Sequence, residues 1–268
     1  MVAVTAGATD RFRIRRPCMI PSMRRLAHVR EHLDGALTDP DVLDGNLRDL
    51  TRINRQFGGA QLSLRALRVL VGEAGAADHD ALRVIDVGAG ACDIPLAMVA
   101  APGPWRSIDV TAVDSRPEIL EAARRIQPAL ATRPDVQLFV ADGRSLPFPD
   151  DAFDVAHASL VLHHLDPIEA RHVLGELARV ASLGVVVNDL ERAAVHWLGA
   201  WLVLHAMTRN AFTLHDGPLS VRRAYTLGEM RGLLESAGLR PVTEFRGFAS
   251  HRWAIAAVPS PPPGPGSR

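Results

Sequence analysis

Lysine is missing altogether: the 30 basic residues of this 268-residue chain are all arginine, and 30 acids balance them to a net charge of zero. Without net positive charge there is no whole-molecule field to draw in nucleic acid. The arginine bias, in a sequence rich in alanine, glycine and proline, reads as coding composition rather than function. Cysteine is almost missing too. Cys18 and Cys92 are the only two, which excludes a disulfide framework and any paired-cysteine metal motif. No apolar run reaches the roughly 20 residues that cross a bilayer. The nearest, residues 193–207, is too short and holds His196 and His205. The first residues lack the apolar core of a signal peptide. They carry several arginines and only Asp10 as an acid, a weak likeness to an organelle transit peptide. An unstructured tail, or a start at Met19 or Met23, accounts for them as well. A cytoplasmic location is the expectation.

What is present suits one large α/β domain, or one domain with a lid, at 29.0 kDa and 47% hydrophobic residues. Residues 1–24 look irregular. From 25 to 74 the pattern is helical, in three stretches at 26–37, 41–57 and 61–75. From Leu82 onward β-branched runs alternate with helical segments, the texture of a parallel sheet wrapped by helices. Strands are expected at 82–87, 107–113, 136–141, 153–158 and 184–188. Intervening helices start near Asp93, Arg116, Pro167 and possibly Leu146. A mostly apolar helix at 193–207, expected to be buried, precedes a long connection, 208–226, of the kind that forms lids. A helix at 227–236 leads to two closing strands, 240–246 and 253–258, as an edge hairpin. The Pro/Gly-rich end, 259–268, reads as disordered.

The segment 84–98, VIDVGAGACDIPLAM, is a buried strand, a tight turn and a helix start. Gly88 and Gly90 let the backbone turn sharply and a ligand approach. A glycine pair alone is weak evidence. The carboxylates around it sharpen the reading: Asp86 precedes the loop, Asp114 ends the second strand and Asp142 follows the third, at equal intervals along the chain. That interval is one βα unit. It lines three acids along the carboxyl edge of the sheet, where open α/β folds bind ligands. An acid ending the second strand suits ribose hydroxyls, one after the third suits the amino group of adenine, and one beside the loop suits a cationic amine. A dinucleotide site would want a third glycine and a pyrophosphate at the helix start. Here Cys92 and Asp93 stand there, and Asp93 would repel a phosphate.

On these residues the chain resembles a class I S-adenosylmethionine-dependent methyltransferase of the small-molecule type. The motifs DVGAGACD, VDSRPEIL, ADGRSLPFPDDAFD and HASLVLHHLDP match in order and spacing between Asp86 and Pro167; Cys92, where many members carry glycine, departs from the pattern. The resemblance implies a doubly wound, mostly parallel seven-stranded Rossmann-like sheet. It implies a helical cap at 25–80, a methyltransferase domain at 81–258 and a lid insertion at about 191–226. The cofactor would be S-adenosylmethionine. Asp86 with the backbone of Gly88, Ala89 and Gly90 would hold its methionine portion, and Asp114 and Ser115 its ribose. Asp142 and Gly143 would bind adenine, with Arg144 or Leu146 over its face, and Ala158 and Ser159 would border the sulfonium.

An oxygen acceptor must lose a proton, and histidine is the usual base near neutral pH. His163 and His164 fall just beyond the fourth strand, and His215 next to Asp216 could form a base with its orienter. His157, inside the strand, could equally be a packed core residue. Adjacent histidines without a carboxylate-rich partner motif argue against a metal. Asn54, Arg55, Asp189, Trp197, Trp201, Arg222 and Tyr225 are candidate walls for a small, largely apolar acceptor, a phenol, quinol or polyketide-like molecule of secondary metabolism. Asp189 could instead cap a helix, and DGP at 216–218 is also a turn signal. The competing readings are an NAD(P)-dependent oxidoreductase and a catalytically inactive methyltransferase-like binding protein. Nucleic acid is not expected as substrate, since an NPPY-type motif is missing. A monomer or a homodimer fits the sequence.

Overall fold

Strands apolar on both faces need helices on both sides and partners along both edges. The computed structural model describes residues 23–73 and 81–261, and in it seven strands form one sheet. The first five run parallel: β1 (Ala81–Val87), β2 (Ser107–Asp114), β3 (Val136–Val140), β4 (Phe153–Ser159) and β5 (Ala181–Leu190). With β6 (Leu239–Arg246) and β7 (Arg252–Pro259) the order is β3-β2-β1-β4-β5-β7-β6. β7 is antiparallel to both neighbours. The closing pair is the expected edge hairpin, docked through β7. β7 is inserted beside β5, and β6 alone takes the edge. Composition explains the choice: Arg252 to Ala257 are all buried, whereas most of β6 is only half-buried.

Both faces are covered. α2 (Gly59–Glu73) and α3 (Asp93–Ala100) pack on one side; α5 (Pro167–Val180) and α8 (Leu227–Ser236) pack on the other. Successive side chains of a strand point to opposite faces. Val186 accordingly joins Leu67, Leu70 and Val84, while Val185 and Val187 join Leu174, Leu177 and Trp253. α4 (Pro117–Ile126) follows β2 with proline in its first turn, and α5 starts from a capping box between Asp166 and Glu169. The expected helix near Leu146 does not form. Leu146 is buried in the core, and its backbone N–H donates to Glu176.

Three further expectations are corrected. Of the three N-terminal helical stretches only two are helices, α1 (Pro40–Gln56) and α2. Residues 26–37 form an irregular strap, because tertiary acceptors capture the N–H groups a helix would use. Leu26 donates to Arg222 O, and His32 and Leu33 donate to the two carboxylate oxygens of Asp216 at 2.8 and 2.9 Å. The connection 208–226 is not a loop. It contains α7 (Ala211–Arg223), capped by Asn210, with Pro218 inside it. Leu204 packs against Gly217 so closely that a Cβ there would lie 2.1 Å from Leu204 Cδ1, so packing overrides the local turn signal. Finally, α6 (Ala194–Met207) is not buried. Leu204 is its only buried residue, and Val195, Leu198, Trp201 and Leu202 are exposed. The expected tails at 1–24 and 259–268, with Cys18, lie largely outside the described residues.

Removing the Asp216 carboxylate would leave two strap N–H groups without acceptors, each costing about 1–3 kcal/mol if it stays buried. Asp216→Ala is expected to lower the unfolding free energy by about 2–4 kcal/mol in urea denaturation. It should also open residues 26–37 to limited proteolysis.

Candidate active site

The turn after β1 is held by its backbone. Gly88 and Ala89 both donate to Val113 O, at 2.8 and 2.9 Å. Gly88 has φ +74°, and a Cβ there would lie 2.2 Å from Val161 Cγ2, so both conformation and space demand glycine. Gly90, at φ +52°, has no atom nearer than 4.0 Å to such a Cβ, so its requirement is conformational. Cys92, left-handed at φ 55°, precedes α3 without capping it through its side chain. Burial and the neighbouring Asp86, Asp114 and Asp93 push its thiol far up. It is therefore a neutral, small apolar filler.

The loop forms one wall of a cavity of about 790 Å³ that Asp86, Asp114 and Asp142 also line. The three acids do share one space, at the tips of β1 and β2 and just past β3. Asp86 is 2% exposed, and its Oδ1 lies 2.5 Å from His157 Nδ1. The other nitrogen of His157 is 2.8 Å from Ser63 Oγ on α2, so His157 is a fully buried link and not part of the cavity wall. Asp114 accepts from the N–H of Gly90 and of Arg116, and burial raises its pKa. Asp142 sits half-exposed at the rim, where the guanidinium of Arg144 holds its carboxyl below the usual range. Ser115, Gly143 and Ser159 line the cavity; Ala158 lies buried beneath it. At the start of α3, Asp93 accepts from Asn54 Nδ2 at 3.0 Å. Burial raises the pKa of Asp93, and Asn54 counters it. Asn54 thus stands against the glycine loop and lines the same cavity.

The strap closes the far side. Arg116 reaches from the end of β2 to donate to Leu33 O and Gly35 O. Beneath the strap lies a dense set of titratable groups. His163, 2% exposed, places Nδ1 2.7 Å from Asp189 Oδ1, while its backbone N–H donates to Asp189 Oδ2. Burial would raise the Asp189 carboxyl, but His163 outweighs it and holds the group low. His164 lines the cavity and places Nδ1 2.8 Å from Asp34 Oδ1. Asp34 also takes Arg223 Nη1 at 2.6 Å. Burial would raise Asp34, yet His164 and Arg223 hold it well below the usual range. Glu31 lies between the two imidazoles, buried, with Oε1 lacking any hydrogen-bond partner. Burial pushes its carboxyl up to about 7 against the pull of His164 and Arg223.

Several expected site residues stand elsewhere. His215 does not line the cavity; it stacks on His32 at 3.9 Å, and its neighbour Asp216 is committed to the strap backbone. Trp197 and Trp201 lie on α6 away from the cavity, Trp201 against His205. Arg55 points to solvent. Arg222 offers its carbonyl to Leu26, and its neighbour Arg223 faces the cavity instead. Tyr225 is a core residue whose hydroxyl donates to Leu165 O, with Arg25 stacked 3.9 Å over its ring. Burial pushes that phenol up to about 12. Sequence reasoning missed Glu31, Asp34 and Arg223, and no local pattern marks them, since they meet only through the strap.

A parallel sheet with an antiparallel seventh strand between β5 and β6, and acids at its successive tips, defines an open α/β protein with a ligand-sized cavity at the sheet edge and a strand order unlike that of dinucleotide-binding enzymes. Comparison with known proteins narrows this. Residues 84–184 match a family described as a methyltransferase domain. The chain is 34% identical over 122 residues to malonyl-[acyl-carrier protein] O-methyltransferase of Halorhodospira halophila, covering 44% of this chain and 39% of that protein. It is 32% identical over 113 residues to phosphatidylethanolamine N-methyltransferase of Cereibacter sphaeroides, covering 41% and 52%. It thus spans about half or less of the curated relatives it matches. A methyltransferase of Aquifex aeolicus described as S-adenosylmethionine-dependent superposes with a TM-score of 0.53 at 21% identity, covering 82% of this chain and 97% of that one. Residues 84–184 therefore carry the sequence pattern of a methyltransferase domain, on a fold shared with that Aquifex protein.

Gly88→Ala tests the loop geometry. Its contact with Val161 and its strained φ are expected to cost about 2 kcal/mol, seen as a fall of about 5 °C in Tm. Val161→Ala in the same chain should recover part of the loss by removing the clash, and Val161→Leu should recover none.

Proposed function

We propose that this protein transfers a methyl group from S-adenosylmethionine to an oxygen or carbon of a small, largely apolar acceptor. The observation that carries the proposal is the convergence of Asp86, Asp114 and Asp142 with the Gly88–Gly90 loop on one cavity. The residues fit the cofactor. Gly88 and Gly90 leave the backbone bare where a ligand must come close. Asp114, fixed by two backbone N–H groups, is suited to a pair of ribose hydroxyls. Asp142 and Gly143 stand where adenine would reach the rim, beside Arg144. Asp86 and Asp93 put carboxylates, not cations, beside the loop, which suits an ammonium group and opposes a pyrophosphate.

Bound there, S-adenosylmethionine supplies an electrophilic methyl group on a sulfonium. The protein's own task is to orient the acceptor, exclude water and manage its proton. The strap and α1 cover the cavity, with Leu33, Leu47 and Leu50 as apolar lining. His164 is the imidazole on the wall, held by Asp34, with His163 and Asp189 behind it. This cluster is the group best suited to draw the proton from an acceptor hydroxyl. A phenol, quinol or polyketide-like acceptor is our finer reading. It is supported by the apolar lining and by a cavity large enough, at about 790 Å³, for two small ligands side by side.

Titration calorimetry should show binding of S-adenosylmethionine and of its demethylated product to the folded chain; silence up to millimolar concentration would refute the reading. Asp114→Ala should weaken both ligands about 10- to 100-fold, since hydrogen bonds to a charged group are worth about 1.5–3 kcal/mol. His164→Asn should leave that affinity intact and lower kcat on an oxygen acceptor by about 10²- to 10⁴-fold. An equal loss of both would move His164 out of the chemistry and into the cofactor site.

A further inference from the structure

Glu31, His163 and His164 meet beneath the strap in an arrangement that methyl transfer alone does not require. Each imidazole has its Nδ1 engaged by a carboxylate: Asp189 for His163 at 2.7 Å, Asp34 for His164 at 2.8 Å. That leaves both Nε2 atoms directed at one carboxylate. His163 Nε2 stands 3.8 Å from Glu31 Oε1, and His164 Nε2 stands 3.8 Å from Glu31 Oε2. Those separations are too long for hydrogen bonds. Glu31 Oε1 is buried and accepts no hydrogen bond, a costly state for a carboxylate oxygen; Arg223 Nη1, already bound to Asp34, stands 3.7 Å from it.

We propose that Glu31, His163 and His164 form a binding site for one first-row divalent transition-metal ion, of the kind zinc or cobalt would fill. Two metal–ligand bonds of about 2.1 Å at a near-tetrahedral angle set their donor atoms about 3.4 Å apart. One donor atom from each of the three residues lies within 4.8 Å of the others. An ion among them draws each imidazole toward Glu31 by a few tenths of an ångström, and it supplies the partner that Oε1 lacks. Two imidazole nitrogens and one carboxylate are the donor set that borderline divalent ions prefer, with coordination positions left open. The carboxylates on both Nδ1 atoms are what metal-bound histidines characteristically carry, fixing tautomer and ring orientation. Four carboxylates, Glu31, Asp34, Asp189 and Asp216, crowd the region; against them stands Arg223, which hydrogen-bonds Asp34 and His164 O and pairs with Glu31 only at 3.7 Å. Adjacent histidines gave no metal site in the sequence because the third ligand comes from the strap, far towards the N-terminus.

Among the described residues a second group, His32, His215 and Asp216, also has donor atoms close together. Both oxygens of Asp216 are used by the strap backbone, and both histidines are exposed, so it serves as the internal control. His164 belongs both to the cluster and to the cavity wall, so an ion held there adjoins the acceptor end of the cavity and occupies His164 Nε2; the base role proposed above belongs to the ion-free chain. Its part in methyl transfer rests on the proposed function; its binding does not.

The full chain, stripped with chelator, is titrated with Co²⁺ and followed by visible absorption, and with Zn²⁺ by calorimetry. One ion per chain is expected, with d–d bands of a low-coordinate nitrogen–oxygen site. Glu31→Gln and His164→Asn should each weaken binding at least about 100-fold, and Asp189→Asn about 10- to 100-fold. His215→Asn should change nothing. Circular dichroism and Tm identify any variant that fails to fold, and the remaining two then decide. No d–d absorption, binding indifferent to Glu31→Gln and His164→Asn, or binding lost in His215→Asn would each overturn the site. Calorimetry with S-adenosylmethionine on the same samples separates the two readings. Its binding without Co²⁺ binding overturns the metal site alone, and the reverse supports the metal site while rejecting the cofactor reading.

Discussion

A carboxylate buried to 2% exposure cannot be left alone, and Asp86 is such a group. Its partner His157 is its register neighbour on the adjacent parallel strand. That imidazole is in turn met by Ser63, whose hydroxyl also takes Asn188 Nδ2. One chain of contacts therefore joins β1, β4, β5 and α2 directly under the glycine loop. A slip of β4 by one residue would send His157 to the opposite face and strand the Asp86 charge. The position of the loop, and of all that lines the cavity above it, follows from that pairing.

A second buried group extends this frame to the late strands. Arg252, at the start of β7, donates to Asn54 on α1, to Asn188 on β5 and to Ser159 at the end of β4. Burial lowers its guanidinium to about 10. A Cβ on Gly59 would lie 2.4 Å from Arg252 Nη1, so the break between α1 and α2 is shaped around this side chain. The insertion of β7 beside β5 is what brings the arginine there. Through Asn54 it reaches Asp93, and so the first turn of α3.

The parallel sheet was legible because its signals are local. Five strand cores and the helices beginning at Asp93 and Pro167 show in short runs of sequence, and the even spacing of Asp86, Asp114 and Asp142 follows from the size of one βα unit. The strap was not legible. Residues 26–37 have helical periodicity, but what decides their shape is Asp216, which lies near the other end of the chain. The same separation hid Glu31 and Asp34 as site residues and made α7 look like a loop. His215 and Tyr225 misled for the opposite reason, since their neighbours in sequence suggested chemistry that their packing does not allow. The sequence of α6 is apolar all round, but periodicity cannot say whether a neighbour exists to cover it.

The distance along the chain between the strap and its anchors bears on how this protein is made. Residues 25–35 leave the ribosome before Asp216, Arg222 and Arg223, which hold them, by well over 150 residues of synthesis. The nascent sheet can begin to pair before then, but the strap has nowhere to dock. Closure of the mouth over the loop is therefore a late event of maturation, after the slow, non-local contacts are in place.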